Sequence, residues 1–167
     1  VWGILQKYRG REVLAVFVEY NPNPLSKRAG DCVIRAVTKV LGMDWDKAYL
    51  GIVMQGYSLK DMPSINHVWG SYLKEKGFSR HAIPDTCPDC YTISDFAEEH
   101  KTGKYILATG SHVVAVVDGD YYDTWDSGEK VPMYYFKKEE EAWQDNGETT
   151  QVEPVTPPTR RRARQTA

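Results

Sequence analysis

The feature that most restricts the fold of this chain is a change of hydrophobic period near residue 104. Upstream, apolar residues recur at helical spacing. Downstream, they fall into short runs rich in Val, Ile and Tyr. Val33, Ala36, Val37, Val40 and Leu41 stand at i, i+3, i+4, i+7 and i+8 and form one apolar stripe. Asp31 before the stripe and Gly42 after it are residue types that start and stop helices, so a helix is predicted over about Cys32–Leu41. A second helix is expected from Asp44, with Trp45, Ala48, Tyr49 and Ile52 on one face. A third should start at Ser64, bury Ile65, Val68, Trp69, Tyr72 and Leu73, and stop at Gly77. A short fourth over 93–100 is signalled by Thr92 with Asp95 three residues on.

Past the change of period, "KYILATG", "HVVAVVDGDYYDTW" and "VPMYYF" read as strands, and Asp118-Gly119 is a strong hairpin signal. An earlier strand is expected in "LAVFVEY" (14–20). The following "NPNPLSKRAG" is a loop, because its two Asn-Pro pairs and its Gly turn the backbone away from helix. Helices first and an antiparallel sheet after predict an α+β domain over roughly residues 14–136, with N-terminal helices packed on a C-terminal antiparallel sheet. The charged, Pro-containing stretch 137–167 cannot bury enough apolar surface and is expected to be a disordered tail.

Composition narrows the function classes. A chain of 167 residues has room for one domain with a real core. A net charge of -2 gives no global case for nucleic acid, and "RRRAR" near the C-terminus reads as solvated tail. The six-residue apolar run 13–18, bounded by Glu12 and Glu19, is too short for a signal peptide or a membrane span. A cytoplasmic protein with no membrane partner is expected. Three cysteines are an odd number, so reduced thiols are the default expectation.

Cys32 stands at the first turn of its helix, where unpaired N–H groups and the helix dipole favour thiolate over thiol. A thiolate that hydrolyses needs a base, and the base needs a partner to fix its tautomer. His67 lies in the third helix, His81 in a link after Gly77 and His100 at a helix end; each has a simple structural reading. His112 differs, because it opens a strand directly after "ATGS". With a two-residue turn at Asp118-Gly119, residue 117 pairs with 120 and 112 lies across from 125. Alternation then puts Asp123 and Trp125 on the face of His112. Asp123 is therefore the expected orienter, with Asp126 in reserve.

The order Cys, then His on a strand, then Asp on the next strand resembles that of papain-like cysteine peptidases. "DTW" (123–125) resembles their Asn-Ser-Trp, in which the amide orients the histidine and the Trp shields that contact. An Asp there is similar to the bacteriocin-processing peptidases. "YNPNP…GDCVIRA", "HVWGSYL", "CPDCYT" and "GSHVVAVVDGDYYDTWDSG" look like small papain-like proteins of prophages and mobile elements. The resemblance covers about residues 19–136, with 1–18 as an N-terminal extension that is partly strand. It implies a papain-like fold and a thiol hydrolase, most simply a cysteine peptidase acting on a peptide or isopeptide bond of a protein or peptide substrate. No cofactor is implied. An inactive papain-fold binding module of phage origin is the alternative.

The sequence departs from the family pattern at one place. Papain relatives carry an oxyanion-binding Gln six residues before the nucleophile, and position 26 here is Ser. The Cys32 backbone N–H, with Asn21, Asn23 or Ser26, are the candidates to replace it. Asp31 beside the thiol should raise its pKa unless its charge is directed at the helix amides as a cap. Cys87-Pro-Asp-Cys90 could be a zinc half-site or a redox pair. A tetrahedral site would have to recruit His81, His100 or Cys32, none at a recognised spacing, so the motif reads first as a structural turn and no metal is expected.

Overall fold

The computed structural model describes residues 15–138, which form an α+β domain of four helices and a six-stranded mixed sheet. The elements are β1 (Phe17–Glu19), α1 (Cys32–Leu41), α2 (Trp45–Leu59), α3 (Asn66–Glu75), β2 (Phe78–Ala82), α4 (Ile93–Glu99), β3 (Lys104–Ala108), β4 (Val113–Val117), β5 (Asp120–Asp123) and β6 (Tyr134–Lys138). The strands lie in the order β1-β5-β4-β3-β6-β2.

The expectation of an antiparallel sheet needs one correction. β1 pairs parallel to β5, with Glu19 opposite Asp123, while the other pairings are antiparallel. A parallel pair needs a long crossover, and here nearly the whole domain intervenes between the two strands. The extension expected over 1–18 therefore already contains two residues of the sheet, Phe17 and Val18. β2 is an edge strand where only a link after Gly77 is legible in the sequence, and it places His81 in the sheet opposite Tyr135. Lys137 and Lys138, expected to open the tail, instead complete β6. The rest of that tail, and residues 1–14, lie outside the described residues.

Alternation along the central strands feeds two cores. Ile106, Ala108, Val113 and Ala115 join α1, α2 and α3 on one face. Tyr105, Leu107, Val114 and Val116 join Ile93, Phe96 and Ala97 of α4 on the other. Coverage of both faces explains why β4 is an unbroken apolar run, VVAVV. Val37 and Val40 of the α1 stripe are fully buried, each worth roughly 1.5–3 kcal/mol relative to exposure. α2 departs from its expected face: Ala48 and Ile52 are buried, but Tyr49 is exposed. Ile65 likewise stands outside the core, as the residue before α3.

The β4–β5 hairpin has the two-residue turn its sequence predicts. Asp118 and Gly119 have φ of 51° and 88°, the left-handed pair that matches the twist of the strands. Val117 pairs with Asp120 and Ala115 with Tyr122, the register that carries His112 and Asp123 to the same end of the sheet. Because β1 runs parallel to β5, the chain also leaves β1 at that end. Tyr20 N–H donates to the Asp123 carbonyl at 2.7 Å before the loop leads to α1. Topology thus brings a helix start, a strand start and a strand end together. Among the described residues, no helix is long and apolar enough to cross a membrane.

Candidate active site

Cys32 is the first residue of α1 and is partly exposed. The His112 ring and the Val113 backbone N–H are the neighbours that act on its thiol. His112 is fixed by a tight turn: its N–H donates to Thr109 Oγ1 at 3.0 Å, and its carbonyl accepts from Thr109 N–H at 2.9 Å. The ring donates through Nε2 to Asp123 Oδ2 at 2.5 Å, which leaves Nδ1 for the thiol. The side chain of Asp123 is 1% exposed and that of His112 17%. Trp125 packs on the imidazole, with ring centroids 5.3 Å apart.

The electrostatics follow from these contacts. Burial pushes the Cys32 thiol up, but the hydrogen bonds from His112 and Val113, with the charges of His112 and Arg35, outweigh it and leave the thiol below its ordinary value. Burial pulls His112 down, yet hydrogen bonds to Asp123 and Cys32 and the charges of both push it up to about 9. Burial would also raise Asp123; its hydrogen bond and ion pair with His112 hold the carboxyl below the usual range. Both shifts run toward a thiolate–imidazolium pair on a buried carboxylate, and the thiolate is the form that attacks a carbonyl.

Asp31 behaves differently from its expected role as a helix cap. It occupies the N-cap position, but its side chain makes no cap hydrogen bond. Oδ1 pairs with Arg35 Nη1, and Oδ2 accepts from Trp45 Nε1 at 2.9 Å and Asn23 Nδ2 at 3.5 Å. The partner that turns Asp31 away from the helix amides is Arg35, one turn into α1, whose Nη2 also donates to Asp123 Oδ1 at 3.1 Å. The sequence signal for Arg35 was only an i, i+4 Asp-Arg spacing, which ordinarily marks an exposed pair.

The remaining candidates are held elsewhere. Asp126 accepts from the Tyr121 hydroxyl at 2.6 Å and from Gly128 N–H at 3.1 Å. Asn21 donates to the Lys27 carbonyl at 3.2 Å. The Asn23 amide donates to Asp31, while its oxygen accepts from Leu25 N–H and Lys27 N–H. Both asparagines thus shape the loop before α1. Ser26 is exposed at a turn with φ of 54°. His67 faces Asp61, His81 stacks on Tyr135, and His100 bonds the Phe96 carbonyl.

The default of three reduced thiols is corrected by a disulfide between Cys87 and Cys90, which leaves Cys32 as the free cysteine among the described residues. Once joined, the two sulfurs are no longer thiolate donors for zinc, and the motif closes a turn. No group of three or more His, Cys, Asp or Glu side chains among the described residues is arranged to hold a metal ion.

Compared with protein-family models, curated proteins and solved structures, the chain matches none.

Proposed function

We propose that this protein is a papain-like thiol hydrolase, most simply a cysteine peptidase that cleaves a peptide or isopeptide bond. The observation that carries the reading is the order Cys32–His112–Asp123, in which His112 acts on the thiol and is bonded to Asp123, built from a helix start and the two ends of a hairpin. In the reaction, Cys32 Sγ attacks the substrate carbonyl carbon and His112 passes its proton to the departing nitrogen, leaving an acyl-thioester. Water then attacks the thioester, His112 takes its proton, and the thiolate leaves. Asp123 keeps Nε2 protonated and Nδ1 toward sulfur throughout. The first-turn N–H of Cys32, which the Asp31 side chain does not cap, is a donor for the oxyanion.

One observation favours a second reading, an inactive binding module on the same scaffold: the side-chain amides of Asn21 and Asn23 are engaged in the loop and at Asp31. Labelling of Cys32 with an iodoacetamide probe across pH separates the two. The hydrolase should label rapidly below neutral pH, and His112→Ala should slow labelling at pH 6 by roughly 10²-fold or more. A wild-type rate equal to that of a free thiol, unchanged by His112→Ala, would end the catalytic reading.

A further inference from the structure

Asp31 poses an electrostatic problem for the nucleophile. A carboxylate adjacent in sequence to a thiol, 8% exposed, would disfavour a thiolate if left unpaired. The structure answers it with a second buried ionic group. The Arg35 side chain is 6% exposed, and its two terminal nitrogens are divided between two carboxylates. Nη1 pairs with Asp31 Oδ1 and also reaches the Ala29 carbonyl at 3.4 Å, while Nη2 donates to Asp123 Oδ1. Asp123 therefore has Oδ1 held by Arg35 and by the Thr124 backbone N–H at 2.7 Å, and Oδ2 held by His112.

We infer that Arg35 is a positioning residue of the catalytic site: its guanidinium neutralises Asp31 beside the nucleophile and locks the Asp123 carboxylate, so that one oxygen is presented to His112. The inference rests on the reading of Cys32 as a nucleophile and adds an element to it. The charged side chains form an alternating chain, Asp31 (negative), Arg35 (positive), Asp123 (negative), His112 (positive) and Cys32 (negative), in which each cation lies between two anions. A planar fork with five N–H groups suits a place between two carboxylates, whereas a Lys ammonium would hold them as a point charge. The other charged groups on the elements packed here are exposed or held elsewhere. Arg28 pairs with Glu19 at 3.5 Å, Lys47 with Asp44 at 3.1 Å, Lys39 lies over the Tyr20 and Tyr122 rings, Lys130 lies over the Trp125 ring at 5.7 Å, and Lys27, Asp46 and Glu129 face solvent.

The inference has a signature that a purely structural Arg would lack, namely opposite displacements of the acid limb of Cys32 reactivity. In the full chain, Arg35→Gln leaves Asp31 unneutralised, so the limb should move to higher pH. Iodoacetamide labelling at pH 6 should fall on the order of tenfold, and the rates should converge with wild type at high pH. Asp31→Asn keeps an acceptor for Trp45 and Arg35 but removes the negative charge, so its limb should move to lower pH. Arg35→Lys should fall between wild type and Arg35→Gln. Circular dichroism checks that each variant is folded. If Arg35→Gln does not fold, Asp31→Asn decides: a shift to lower pH supports the inference, and an unmoved limb or a shift to higher pH overturns it. An unmoved limb in folded Arg35→Gln overturns it equally. Failure of the underlying catalytic reading is visible separately, as a wild-type Cys32 that labels like a free thiol whether or not His112 is present.

Discussion

Cys32 and the Cys87–Cys90 pair put the same side chain into two settings. Around Cys32 the neighbours are ionisable, with His112 half-buried and Arg35, Asp31 and Asp123 buried, tied to one another across α1, β4 and β5. Around Cys87 and Cys90 the chain is an exposed loop, residues 84–89, whose recorded hydrogen bonds are local, such as Cys87 N–H to Asp85 and Tyr91 N–H to Thr86. One setting lowers the proton affinity of a thiol by placing charge near it; the other removes the thiol by pairing it with its neighbour. The acidity of the Cys32 thiol is thus set by long-range contacts that the fold must assemble, while the turn is set by residues at most five apart in sequence.

The largest test of that contrast is Asp123→Ala. It takes away a carboxylate that serves both Arg35 and His112, leaving a buried guanidinium with one carboxylate partner and an imidazole without its orienter. A loss of about 3–5 kcal/mol in urea unfolding is expected, as when one member of a buried ion pair is deleted. Cys32 labelling at pH 6 should fall by at least tenfold in the protein that remains folded. A variant with wild-type stability would mean that the network is not what holds this end of the sheet together.

The next test concerns the pH dependence of stability. In the folded protein His112 holds its proton up to about 9, above its unfolded value of 6.5, so alone it would stabilise below pH 6.5 and lose that contribution as pH rises through 9. Cys32 is shifted the other way, below the unfolded 9.0, so its contribution is present above 9 and lost as pH falls through its folded value. Over the part of the 6.5–9 window that lies above the folded Cys32 value, the folded pair and the unfolded pair each bind one proton, and the two contributions offset each other. Cys32→Ser removes one half of this balance. Its stability should decline by about 1–3 kcal/mol over the same window, measured by urea unfolding at a series of pH values. A flat profile in both proteins would mean that His112 is not held protonated.

These residues also show what a sequence can disclose. The α1 stripe and its Gly42 stop depend on neighbours within one or two turns, and the helix appears with the predicted bounds. The hairpin register depends on a two-residue turn, and that turn carried His112 and Asp123 to one place. Arg35 was not legible as part of the site, because its deciding partner is 88 residues away and its near partner looks like a surface pair. β2 escaped for a similar reason: "FSRHA" becomes a strand only through β6, more than fifty residues later. β1 was visible as a strand, but its parallel partner was not, since nothing local encodes which strand an edge will join. The disulfide was not legible because an odd cysteine count says nothing of which two sulfurs the fold brings within bonding distance.

The smallest expected effect lies on the other side of the comparison. Cys87→Ser with Cys90→Ser opens a cross-link that spans three residues, and so short a loop restrains little of the unfolded chain; about 1–2 kcal/mol should be lost. The loop is anchored beyond the disulfide by Ile83 N–H to the Met133 carbonyl at 2.9 Å and by the Thr92–Asp95 capping box of α4, so the elements on either side should persist. None of the charged partners of Cys32 touches this loop. The rate and pH profile of Cys32 labelling should therefore match wild type, while dithiothreitol should lower the stability of wild type alone. A Cys32 profile that moved with the loss of the disulfide would show that the two settings are coupled through the sheet, and would break the contrast between them.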